Sequence, residues 1–150
     1  MPTTIKSNIS RLKLHDSRVE KLVRFNQQME LTFDGATLSN FIEENIAEPI
    51  ILGQTTMHLT GIKSEEFKIS SDQKVSTVPF PNNFTERFYT ISSNEISDTN
   101  QTIKISGLFR ESENAMYDWV EWSFAFSTCE LSWNSHITLK EWRNGKLPTD

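Results

Sequence analysis

Along residues 117–127 every second side chain is large and apolar. Val120, Trp122, Phe124 and Phe126 fall on one side, and Trp119, Glu121, Ser123 and Ala125 on the other. A period of two belongs to a β-strand with one buried face, because successive Cβ atoms point to opposite sides of the sheet. A helix would scatter the same residues around its circumference. Such a strand needs neighbours to complete its hydrogen bonds and a second layer to cover its rings.

The neighbours are visible in the same alternation. Residues 18–25 place Val19, Val23 and Phe25, with Lys21, on the face expected to be buried, and Glu20, Leu22 and Arg24 on the other. After a turn at Asn26-Gln27, Met29, Leu31 and Phe33 oppose Glu30 and Thr32, so 18–33 reads as a hairpin that ends at Asp34-Gly35. Residues 50–62 read as one long strand or as two joined at Gly53. Further strands are expected around Phe67 and Ile69, over 88–91, and where Ile103, Ile105, Gly107 and Phe109 alternate with Lys104, Ser106 and Leu108. Leu131, Trp133, Ile137, Leu139 and Trp142 predict a final pair of short strands broken near Asn134-Ser135.

Two stretches read as connections: 70–83, where Pro79 and Pro81 cannot donate to a ladder, and 92–100, a polar turn rich in Ser, Asn and Asp. Only 38–46 departs from the β period. There Leu38, Phe41, Ile42 and Ile46 recur at three- and four-residue spacing, as a short helix or an irregular loop closed by Pro49. Seven to nine strands and at most one helix describe a single all-β or β-rich domain over 1–150, an antiparallel sandwich or a partly open barrel. The ends, 1–10 and 143–150, are expected to be flexible. With 150 residues, ten Phe and four Trp, the chain has enough ring area for a core without staples.

Charge and composition narrow the functional classes. A formal charge of −5 argues against nucleic acid, whose phosphates need clustered Lys and Arg. The charge is uneven, with six basic and three acidic residues over 1–30 against four basic and ten acidic over 31–100. An acidic middle of this kind steers a basic protein partner. The longest apolar stretch, 49–52, is far too short to span a bilayer, and no run near the start resembles a secretory leader. The lone Cys129 permits no internal disulfide. A cytoplasmic location without membrane contact is the expectation.

No motif for chemistry stands out. His15, His58 and His136 are scattered, and the five glycines are isolated, so neither a metal site nor a phosphate cradle is expected, and no cofactor. Asp118 and Glu121 fall on opposite faces of a regular strand, a poor arrangement for an acid–base pair. Cys129, in an apolar neighbourhood, reads as an inert thiol more readily than as a nucleophile. In the stretch Leu14-His15-Asp16-Ser17, the Asp16 carboxylate and Ser17 hydroxyl are expected to bond backbone amides ahead of the first hairpin, with Leu14 pointing inward. Trp119 projects from the polar face of its strand, with Tyr117 and Glu121 beside it, as a platform for a partner or a sugar ring.

Leu14-His15-Asp16-Ser17, the hairpin end Met29-Glu30-Leu31-Thr32-Phe33, the strand Met57-His58-Leu59-Thr60-Gly61-Ile62 and the late Cys129-Glu130-Leu131-Ser132-Trp133 together resemble small bacterial proteins without assigned activity, some of them encoded beside polymorphic toxins in positions typical of immunity proteins. The resemblance covers both ends and one middle strand, and 63–101 lies outside it. It implies a cytosolic binding protein and transfers no catalytic residue. The leading expectation is thus a non-enzymatic binding protein with a protein partner, in the manner of a toxin-neutralising immunity protein, with His15, Asp16, Tyr117, Trp119 and Glu121 as contact residues. The alternatives are a carbohydrate or small-ligand module using Tyr117, Trp119 and Glu121, and a hydrolase using Cys129 or the His15-Asp16 pair. Free sheet edges are compatible with a homodimer.

Overall fold

A computed structural model of the chain describes residues 2–149. Three open antiparallel sheets share one core, and none closes into a barrel. The first sheet has the order β1 (Thr3–Ile5), β13 (Thr128–Trp133), β7 (Thr55–Thr60), β4 (Gln28–Asp34) and β3 (Arg18–Phe25), numbered along the chain. The second runs β10 (Phe88–Ser97), β11 (Thr102–Phe109), β12 (Asp118–Ala125), β8 (Lys63–Ser71) and β9 (Lys74–Val78). A small third sheet joins β14 (His136–Thr138), β6 (Ile50–Leu52), β5 (Thr37–Leu38) and β2 (Leu12–Lys13). Two short helices, α1 (Phe84–Arg87) and α2 (Leu139–Arg143), complete the regular elements with 3-10 turns at Ile9–Arg11 and Ile42–Glu44.

Each large sheet buries one face. Met29, Leu31, Phe33, Met57, Leu59 and Leu131 point inward from the first, and Ile103, Ile105, Val120, Trp122, Phe124 and Phe67 from the second. Phe84 and Phe80 pack edge or tilted against Phe67 and Trp122, with ring centroids 4.8–5.9 Å apart, and close the core between the layers. This is the sandwich that the alternation predicts. It holds more strands than the seven to nine expected: β1, β2 and β5 are two- or three-residue pieces too short to show a period, and β9 forms within 70–83, read as a connection, where it pairs with β8 as the edge of the second sheet and ends at Val78 before Pro79.

The hairpin forms with its turn at Asn26-Gln27, but its faces exchange midway. The β3–β4 register slips between Val19 and Lys21, leaving one extra residue on β3. A bulge of this kind turns every later side chain to the opposite face. Val19 is buried as expected, while Val23 and Phe25 are 41% and 70% exposed. Arg24 instead takes the core-facing side at the rim of the sandwich, where it stays partly exposed. Its guanidinium lies 4.3 Å from the Phe80 ring centroid and forms a two-point ion pair with Glu65 of β8, whose other contact is the Trp122 indole, donating at 2.6 Å.

Residues 38–46 form no helix. Phe41 and Ile46 exchange two backbone hydrogen bonds around the 3-10 turn, and Asn45 takes the left-handed conformation that reverses the chain. Phe41 is held edge-on to Trp133 at 5.5 Å, and the buried Arg11 grips Glu43 and Asn40. The two helices lie elsewhere. Leu139 and Trp142, expected in a strand, begin α2 because Thr138 and Glu141 form a capping box: the Thr138 hydroxyl accepts from the Glu141 amide at 3.2 Å and Glu141 accepts from the Thr138 amide at 3.1 Å.

The polar stretch 92–100 continues β10 as far as Ser97, because its backbone stays paired with β11 on one side while its side chains bond the start of the chain on the other. The Asn94 amide accepts from the Leu14 backbone N–H at 2.9 Å and donates to the Leu12 carbonyl at 3.0 Å. Asp98 accepts from the amides of Ile9 and Ser10. These bonds fasten the start of the chain, which carries β1 and the first 3-10 turn within the ten residues expected to be flexible. The expectation at Met1 and Asp150 lies outside the described residues. Gly107 on β11 lies against a bulged part of β10, where a Cβ would stand 2.2 Å from the Thr90 carbonyl oxygen, so only glycine fits.

Candidate contact face

Two surface depressions hold Cys129 on the one hand and Tyr117, Asp118 and Trp119 on the other, and their chemistry differs. The larger, about 600 Å³, is lined by Ile9, Phe126 and Cys129 under a rim that includes Lys6, Asp98 and Glu130. Its polar groups are already engaged by the chain itself. Asp98 holds the first 3-10 turn, Lys6 pairs with Glu130 at 3.4 Å, and the Gln101 amide donates to the Ser127 carbonyl at 2.8 Å. Burial pushes the Cys129 thiol up to about 12, with the carboxylates of Asp98 and Glu130 adding to the shift. A thiol so placed stays protonated and is no nucleophile at neutral pH.

The second depression, about 480 Å³, lies where the β8–β9 turn and the β11–β12 connection meet at one end of the second sheet. The turn at Asp72-Gln73 is tight, both residues having positive φ as a two-residue hairpin loop requires. Trp119 stands opposite Ser70 on β8, which stands opposite Val75 on β9, so the outward row of the sheet runs from Trp119 to its edge. On the other side, Tyr117 packs on Tyr89 with centroids 5.2 Å apart, and the Arg110 guanidinium lies 5.0 Å from the Tyr117 ring. Val75, Tyr89, Met116, Tyr117 and Trp119 make up half of the ten large apolar side chains that are exposed among the described residues. Their gathering at one end of one face is unlike scattered surface hydrophobes, which need no explanation.

The rim is acidic. Asp72, Glu111 and Asp118 line the depression, no Lys or Arg does, and these three carboxylates form no ion pair among the described residues. Glu43, Glu65, Glu121, Glu130 and Glu141, by contrast, are each paired with a Lys or Arg of the chain. Asp72 escapes a reading of the sequence because it sits in a turn remote from Trp119 along the chain, and Glu111 and Met116 because they lie in the irregular connection before β12, where no strand parity assigns them a face.

Of the five residues singled out by the sequence, the structure brings together Tyr117 and Trp119. Glu121 shares their sheet face but pairs with Lys104 at 3.6 Å and does not line the depression. His15 and Asp16 lie beyond the opposite edge of that sheet, at β10, and line no part of it. His15 Nδ1 donates to the Ser92 carbonyl at 2.6 Å, and Nε2 is 3.4 Å from the Asp16 carboxylate, both side chains being exposed. The anchoring expected of Asp16 and Ser17 is made by backbone instead: the Asp16 amide donates to Ile91 and the Ile91 amide to Ser17. The Ser17 hydroxyl is buried without a hydrogen-bond partner, whereas Leu14 points inward as expected.

Among the described residues no group of three His, Cys, Asp or Glu is placed to hold a metal ion, and no helix is long and apolar enough to cross a membrane. Compared with known proteins, the chain matches no family model, no curated protein and no solved structure. The fold places it in the class of open antiparallel β sandwiches.

Proposed function

We propose that the chain is a non-enzymatic binding protein that engages a protein partner through the outer face of its second sheet, at the end formed by residues 70–72 and 111–119. The observation that carries this reading is the union there of clustered exposed rings and unpaired carboxylates. Exposed aromatic side chains are the usual anchors of protein interfaces, and an unneutralised acidic rim draws a basic partner and sets its orientation. Ser70 and Trp119 stand on paired strands, which fixes the position of the Trp119 ring before binding. In its finer form the partner is a toxin encoded beside the protein, as the short sequence resemblance implies.

The test is direct binding of the products of adjacent genes to the wild-type chain and to a Tyr117→Ala/Trp119→Ala variant. Binding that the variant loses, with amide-exchange protection over 70–72 and 111–119, supports the reading. Binding unaffected by the variant, or protection confined to another face, sinks it.

A further inference from the structure

We infer that the partner is anchored on this face by an arginine side chain, its guanidinium stacked on Trp119 and held by the carboxylates of Asp72 and Glu111. The inference rests on the reading of that face as the partner surface and specifies what it grips. Carboxylates only accept hydrogen bonds, so two of them beside exposed rings and without an ion pair of their own call for a ligand rich in donors. A guanidinium offers five N–H donors and no acceptor, in a plane that stacks on an aromatic ring while its edge meets carboxylate oxygens. The walls made by Met116, Tyr117 and Trp119 suit the apolar stem of the same side chain.

Two other occupants fit less well. A lysine ammonium is a compact, strongly hydrated charge that gives up more hydration against apolar walls. A sugar hydroxyl both donates and accepts, whereas the charged groups of this rim provide acceptors alone.

The chain already uses this chemistry on its own arginines. Arg24 lies over Phe80 at 4.3 Å and near Trp122 at 5.9 Å while its edge is held by Glu65. Arg110 lies 5.0 Å from the Tyr117 ring, at the margin of the depression itself. Trp119, which lines the depression, has no guanidinium over it from within the described residues.

Panning a random twelve-residue peptide library against the intact protein tests the inference, each selected peptide being mapped by the shift of the Trp119 indole N–H resonance. The expected peptides carry one fixed arginine. Replacing it with citrulline, which keeps the shape and loses the charge, weakens binding by at least about tenfold, and lysine in its place weakens it by a smaller factor. The Asp72→Asn/Glu111→Gln variant, which keeps the fold because Asn tolerates the turn at position 72 and Glu111 is exposed, shows the same loss. Affinity for the arginine peptide falls as salt rises.

Peptides that move the Trp119 resonance but contain no required arginine overturn this inference and leave the contact face standing. Selected peptides or arrayed glycans that bind with equal strength to the Asp72→Asn/Glu111→Gln variant also overturn it. Should every selected peptide leave Trp119 and residues 111–118 unmoved, the contact face itself falls.

Discussion

Arg24 of β3 and Glu65 of β8 form a two-point ion pair between the two large sheets, with the Trp122 indole bonded to the same carboxylate. Burial alone would raise the Glu65 carboxyl, but the hydrogen bonds from Arg24 and Trp122 outweigh it and hold the group below its ordinary value of 4.5. A carboxyl depressed in the folded state takes up its proton more readily when the chain unfolds. Its stabilisation is therefore complete above about pH 5 and is lost as the pH falls through and below 4.5.

Glu65→Gln removes the charge but leaves an acceptor for the indole, and is expected to cost about 1–2 kcal/mol at pH 7. Denaturant titrations across pH should show a flatter acid limb for the variant. An acid limb as steep as that of the wild type would show that the pair contributes nothing.

The β3 bulge makes a sharp distinction between two residues that sequence alternation treats alike. Phe25→Ser, on the exposed outer face, should change stability by less than about 0.5 kcal/mol, while Val19→Ala should cost about 2 kcal/mol. Chemical denaturation of the two variants checks this, and a large loss from Phe25→Ser would put that ring back in the core.

Cys129 should be silent towards an aromatic disulfide reagent at pH 8 in the folded protein. With its thiol pushed up to about 12, the thiolate fraction is on the order of a thousandfold below that of the unfolded chain. Labelling that appears only as denaturant unfolds the protein is the expected result, and rapid labelling of the native state contradicts the placement.

Gly107→Ala sets a methyl group against the Thr90 carbonyl, a backbone atom that cannot move without breaking the β10–β11 ladder. The expected cost is about 3 kcal/mol, seen as a lower unfolding midpoint, with amide exchange in β10 quickening first. Unchanged exchange over 88–93 would show that the bulge can yield.

How much of this was legible in the chain depends on which force decides each segment. Val120, Trp122 and Phe124 declare β12 because burial alone sets their pattern. At β3 the hairpin was legible but the bulge was not, since a distant ion pair with Glu65 turns Arg24 inward and no local spacing records it. Likewise Asn94 and Asp98 look like turn formers until their long-range bonds to residues 9–14 are seen. The apolar spacing over 38–46 misleads because Ile42 is exposed while Phe41 is committed to Trp133. By contrast, Thr138 and Glu141 are a local capping signature that could have been recognised ahead of α2. The contact face was half legible. Tyr117 and Trp119 follow from strand parity, whereas its acidic rim exists only once two separate turns meet.

The backbone bridge from Asp16 and Ser17 to Ile91 also bears on what happens between molecules. Fibrils grow when the bare margin of one sheet captures a strand from another molecule, and β10 is such a margin. At Ile91 it is already occupied by a segment of its own chain. Crowded molecules of this protein therefore find no open template along that stretch.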